Sequence, residues 1–255
     1  MSTARSVVTL VRDRNLTFLA ASIAYYAFVS LIPLMLLALV VASAVGGQAF
    51  ADQVVAFLGQ YLSGSGQEVV TEALTNAEGR VGASVVSLVA LTWSGLKLFR
   101  GLDIAFDEVY GDEQQPGLGE QVRDALVVVA AVGAAAVLVI AVAVAYRTVD
   151  PAIPFVSVFG SLALVAVLAV AFLPLFYFLP PRRVSLREAL PGTVVAAGGW
   201  VVLQIGFRVY AGYAATYEAY GYIGGVLLFV TWLYFASIVI LLGAAVNVAL
   251  ESVER

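Results

Sequence analysis

The chain has 255 residues, 62% of them hydrophobic and only 12% charged, with a net charge of −4 and neither His nor Cys. A soluble domain carries about 25% charged residues, so this composition, with a mean hydropathy of +0.99, points to a polytopic membrane protein. Without Cys or His there can be no disulfide, thiolate nucleophile, imidazole base, Ser–His pair or His- or Cys-ligated zinc. No cofactor and no metal are therefore expected. No basic tail or aromatic-basic patch marks nucleic-acid binding, which leaves membrane lipids as the expected surroundings.

Residues Met1 to Asn15 read as a short polar lead carrying Arg5, Arg12 and Arg14. Leu16 to Val45 follows as the first span, because no Asp, Glu, Lys or Arg occurs between Arg14 and Asp52. Its length exceeds the ~20 residues needed to cross a ~30 Å hydrocarbon layer. It lacks the cleavage pattern of a signal peptide and is expected to stay in the mature chain. After Gly46 and Gly47, apolar Phe50, Val54, Phe57, Leu58 and Tyr61, and then Val70, Ala73, Leu74 and Ala77, recur at helical spacing opposite polar residues. This pattern predicts two short amphipathic helices at the membrane surface between spans one and two.

Val81 to Phe99 is the second expected span, with a charged extension through Lys97, Arg100, Asp103 and Asp107. Gly111 to Glu120 is a polar turn. Ala125 to Tyr146 is the third span, and Pro151 and Pro154 stop the helix beyond it. Phe155 to Leu179 is the fourth, with a kink expected at Pro174. Pro180-Pro181-Arg182-Arg183 ends it, and Arg187 and Glu188 fall in the connection. The fifth span starts near Pro191, a residue suited to a first helical turn, and ends at Tyr210. A Tyr-bearing loop from Ala211 to Tyr222 suits an interfacial aromatic belt. Gly224 to Leu250 is the sixth span.

The expectation is thus a single all-α domain of six transmembrane helices. An even count puts both termini on one side, together with Arg5, Arg12, Arg14, Lys97, Arg100, Arg123, Arg182, Arg183, Arg187 and Arg255. Arg80, Arg147 and Arg208 fall on or near the other side, so the positive-inside rule makes the termini cytoplasmic and the location the plasma (inner) membrane. No internal repeat supports an inverted-repeat transporter plan.

The run FLPPRRVSLREALPGTVVAAGGWVVLQIGFRVY, followed by YGYIGGVLLFVTWLYFASIVILLGAAVNVALE, resembles the carboxyl-terminal half of the BrkB/YihY family of bacterial and archaeal inner-membrane proteins. AASIAYYAFVSLIPLMLL in the first span and LTWSGLKLFRGLDIAFDEVYG after the second resemble its other signatures, so the likeness covers most of the chain. Pro181 and Asp107 depart from it, standing where many relatives carry Asn. The resemblance implies a six-helix membrane protein, with a virulence-factor name and a suggested transport role. A ribonuclease label also attached to the family does not suit a chain without His, since the phosphodiesterase chemistry it implies calls for a His-rich metal site.

Three sets of residues are candidate sites. On the first span Ser22, Tyr26, Ser30 and Pro33 share a face with Tyr25 beside them, either cementing helices at roughly 1 kcal/mol per hydrogen bond or lining a substrate path. On the second helix and its extension Trp93, Lys97, Arg100 and Asp107 fall on one stripe, either snorkelling to the inner interface or meeting a head group. On the fifth span Trp200, Gln204 and Arg208 step by four. Arg208, about 25 Å from Pro191 at ~1.5 Å per residue, reaches the outer boundary, where it either pairs with Asp150 or Glu218 or receives an anionic group.

Asp103 and Asp107 lie one helical turn apart and could share a divalent ion. The DG..AR context of the alcohol phosphotransferases is absent, however, and Lys97 and Arg100 can neutralise both acids. No P-loop or Rossmann glycine pattern appears. The reading is therefore a non-enzymatic membrane protein, a transporter or transport accessory for a lipid-like or anionic solute. The alternative is a structural or assembly factor of the cell envelope with no transport path.

Overall fold

In the computed structural model, residues 3–31, 81–111, 156–214 and 221–254 are described, together with isolated positions between 117 and 130. The described residues are helical apart from short turns, and no strand occurs among them. The helices are α1 (Thr3–Asp13), α2 (Leu16–Leu31), α3 (Val81–Tyr110), α4 (Val156–Phe178), α5 (Leu186–Ala214) and α6 (Gly221–Glu254). The expected amphipathic pair between spans one and two, Pro33, and most of the third span lie outside the described residues.

Two of the helices are long and apolar enough to cross a membrane, over Leu186–Tyr210 and Gly224–Ser252, and two shorter apolar helices cover Leu16–Leu31 and Val165–Phe178. The chain divides into two units, one of Met1–Tyr25 with Phe99–Arg255 and one of Tyr26–Leu98. In the first, α5 packs along α6, α4 along α5, and α1 against α6.

The polar lead turns out to be a helix. Val7, Leu10 and Val11, spaced i, i+3 and i+4, form the half-buried side of α1, while Arg5 and Arg12 are exposed. That apolar stripe was the available signal, masked by three arginines in a short segment. Asn15, at φ 48°, makes the corner into α2 in the left-handed region that Asn tolerates better than most residues.

The fifth helix also begins earlier than Pro191. Ser185 and Glu188 form a capping box: the Ser185 N–H donates to Glu188 Oε2 at 2.8 Å and the Glu188 N–H donates to Ser185 Oγ at 3.4 Å. Arg187 and Glu188 thus lie in the first turn of α5 rather than in a connection, and Pro191 lies inside the helix. At its other end α5 runs through Tyr213, and α6 already includes Tyr222, so the expected tyrosine loop is shorter than its composition implied.

Large side chains such as Phe106, Phe176 and Leu241 are fully buried in the first unit, but the contact between α5 and α6 is lined differently. The fully buried positions of α5 and α6 are mostly small: Ala189, Gly192, Thr193, Ala196, Ala197, Gly243, Ala244, Ala245 and Ala249. Large aliphatic side chains point outward, among them Val202 at 70% exposure, Ile205 at 58% and Leu227 at 58%. In water such a surface would be an aggregation hazard. In hydrocarbon it is the expected solvent-facing surface, with small residues letting helix backbones approach closely.

Candidate functional site

Five helix ends meet at one end of the first unit. Arg14, before α2, pairs with Glu108 at the end of α3 at 3.4 Å. Phe106 of α3 meets Phe176 of α4 with ring centroids 5.8 Å apart. Arg182, in the α4–α5 connection, lies over the Tyr110 ring, its guanidinium carbon 5.2 Å from the centroid, and pairs with Glu251 near the end of α6. These contacts gather the start of α2 and α5 and the finish of α3, α4 and α6.

Beneath this lid lies a buried polar node. The Gly192 N–H donates to Asn247 Oδ1 at 2.6 Å, and Asn247 Nδ2 donates to the Ala189 carbonyl at 3.4 Å. Thr193 Oγ1 donates to the same carbonyl at 2.8 Å. Pro191 supplies no N–H to the helix ladder and its ring crowds the carbonyl four residues back; Asn247 braces the backbone on both sides of it. The crossing is tight. A methyl group on Gly243 would sit 2.6 Å from the Gly192 carbonyl oxygen and 2.7 Å from the Phe176 ring.

Tyr110 closes the node. It is 9% exposed, and its hydroxyl makes no hydrogen bond of good geometry, although Asn247 stands close enough to favour its ionised form. The residue lies past the expected second span, and burial pushes its hydroxyl up from 10.0 to about 12. Asn247 and Arg182 lower it and Glu251 and Glu188 raise it, and burial outweighs them.

The candidates from sequence are distributed differently. Ser22 Oγ donates to the Phe18 carbonyl of its own helix at 3.2 Å, a local bond that needs no neighbouring helix. Tyr25 is exposed, at 61%. Within the second unit, Tyr26 is exposed, Ser30 is buried, and Trp93 and Lys97 are exposed. Back in the first unit, Arg100 is exposed and Asp107 half-buried. Trp200 joins an aromatic seam, 5.3 Å from Phe172 and 5.2 Å from Trp232 by ring centroids. Gln204 and Arg208 lie on the exposed side of the same helix, and Asp150 and Glu218, the expected partners of Arg208, lie outside the described residues. Among the described residues no group of three or more acidic side chains could hold a metal ion.

From the sequence, Pro191 reads as a first-turn residue, and nothing joins Gly192, Gly243 and Asn247. Tyr110 was not singled out. The Pro-Gly pair in α5 and the Gly-x-x-x-Asn spacing of Gly243 and Asn247 in α6 were the signals present, but nothing in either segment says that the two face each other.

An outward-facing aliphatic surface, small residues where α5 crosses α6 and polar groups collected at helix ends fit a helical membrane protein. The family model described as Virulence factor BrkB matches residues 7–255, and the chain belongs to that family. It is 31% identical over 242 residues to a UPF0761 membrane protein of Alkalilimnicola ehrlichii, covering 91% of this chain and 54% of the relative. A UPF0761 membrane protein of Halorhodospira halophila is 27% identical over 245 residues, covering 91% and 53%. A Bacillus subtilis protein, YfkH, whose name calls it ribonuclease-like, is 36% identical over 90 residues, 35% of this chain and 33% of that one. The chain spans about half the length of the full-span relatives it matches. No solved structure matches it.

Proposed function

We propose that this membrane protein has six spans, resides in the plasma (inner) membrane with both termini cytoplasmic, and moves, or helps to move, a lipid-like or anionic solute without chemistry of its own. The observation that carries the transport reading is the exposure of Gln204 and Arg208 on a helix otherwise faced with Val202, Ile205 and Val209. Polar and charged side chains on such a surface are costly in lipid and are normally kept for a wet path, a partner or a solute. Arg208 lies about 33 Å along α5 from Leu186 at ~1.5 Å per residue, which suits the opposite interface. The gathering of helix ends around Arg14, Arg182 and Glu251 supports the shared side of the termini. The absence of His and Cys from the sequence supports a non-enzymatic role.

The test is lipid and metabolite profiling of a deletion strain complemented with wild type, Arg208→Ala or Tyr26→Phe at matched expression. Wild type is expected to restore the profile and the variants to restore it in part. Full rescue by both variants would remove these residues from the path. The second reading, a structural or assembly factor, draws on the close packing of the Gly192–Gly243–Asn247 node. It predicts no accumulated solute in the deletion strain.

A further inference from the structure

We propose that the start of α5 is a binding site for an anionic phospholipid, its phosphate held by Arg183 and Arg187 and an acyl chain laid along Leu190 and Val194. Two observations converge on it. The first is charge with no ion-pair partner among the described residues. Arg14 is paired with Glu108 and Arg182 with Glu251, whereas Arg183 and Arg187 are exposed and have no ion-pair or hydrogen-bond partner among the described residues. The adjacent acid, Glu188, is turned to the Ser185 N–H in the capping box.

The second observation is the surface directly below. Arg187, Leu190 and Val194 are spaced i, i+3 and i+7 and so share one face of the helix. Leu190 is 46% exposed, Val194 54%, and the neighbouring Leu186 57%. A guanidinium above an uncovered aliphatic stripe matches a molecule whose anionic head is joined to a hydrocarbon tail. The guanidinium fork binds phosphate oxygens bidentately, and a basic cluster at the membrane boundary gains on the order of a fivefold preference for anionic lipid per arginine. A free phosphate would use the arginines and leave the stripe uncovered, so the lipid is the occupant that satisfies both. The site requires only that the bundle lies in a bilayer, and it stands whether or not the chain transports anything.

The full chain purified in detergent is titrated with dioleoyl phosphatidylglycerol or dioleoyl phosphatidylcholine, and bound lipid is counted by native mass spectrometry. Wild type is expected to prefer phosphatidylglycerol. The R183Q/R187Q double variant should lose about tenfold or more of that preference, whereas R5Q/R12Q, with the same change in net charge, should keep it. R183K/R187K should retain part of it, since charge remains and the fork is lost. Both side chains are exposed, so the variants should unfold at the wild-type temperature; should R183Q/R187Q not fold, R183K/R187K and a phosphate competition on wild type still decide. Equal preference for the two lipids, an unchanged R183Q/R187Q, or an equal loss in R5Q/R12Q would overturn the site. Displacement of phosphatidylglycerol by millimolar inorganic phosphate would assign the arginines to a free anion and overturn the lipid.

Discussion

Asn247 of α6 holds the backbone of α5 at Gly192, accepting its N–H through Oδ1 at 2.6 Å while its Nδ2 donates to the Ala189 carbonyl at 3.4 Å. One side chain therefore fastens two helices at the turn where Pro191 interrupts the ladder of the first. The bond is formed where Gly192 and Gly243 bring the backbones close enough for a short amide to span the gap. Polar fastening and small-residue packing are here a single device, since each depends on the other for its geometry.

Asn247→Ala is expected to lower stability by about 1–3 kcal/mol, because it removes the hydrogen bonds to the Gly192 N–H and the Ala189 carbonyl and opens a cavity. The lower end applies if the unfolded helices find other partners within the micelle or bilayer. Thermal unfolding of the purified protein, compared with wild type in the same detergent, measures it. An unchanged transition would mean that Gly192 is satisfied without Asn247.

Glycines in α5 and α6 should divide sharply by position. Gly243→Ala places a methyl group 2.6 Å from the Gly192 carbonyl oxygen and 2.7 Å from the Phe176 ring, and Gly192→Ala meets the Gly243 carbonyl and the Asn247 amide. Backbone cannot yield as a flexible side chain can, so each should cost about 1–3 kcal/mol or more. Gly198→Ala meets nothing within 4 Å and should be neutral, or stabilising by up to about 1 kcal/mol through helix propensity. Yield and unfolding temperature of the three variants read the difference. A Gly243→Ala protein as stable as Gly198→Ala would contradict the close crossing.

All the helices but α1 are legible in the sequence because their signal is local. Uninterrupted apolar runs gave α2, α4, α5 and α6, and the charged extension from Lys97 to Tyr110 continued the second helix as its spacing implied. The start of α5 is harder to read, because Pro191 also fits a first turn and masks the capping box of Ser185 and Glu188. The polar node was not legible at all. Tyr110 and Asn247 are far in the chain from each other and from the Arg182–Gly192 stretch, and only the meeting of helix ends joins them. Membrane composition hides such nodes further: with apolar residues on every face, periodicity no longer says which side of a helix is inside.

Tyr110 gives the fold a pH dependence confined to strongly alkaline solution. Its hydroxyl titrates near 12 rather than 10.0, chiefly because burial disfavours the phenolate. Below pH 10 the folded and unfolded chains both hold the proton, so this group adds no slope there. Between pH 10 and 12 the unfolded chain has released it and the folded chain retains it, so stability falls as pH rises, by up to about 3 kcal/mol across the window. Tyr110→Phe removes both the titration and an unpaired buried hydroxyl, so the variant should match or slightly exceed wild-type stability at pH 8 and lose less on going to pH 11. The Phe ring keeps the surface that Arg182 covers at 5.2 Å, which separates the hydroxyl's effect from that of the ring. Parallel pH profiles for the two proteins would place the Tyr110 hydroxyl in contact with water.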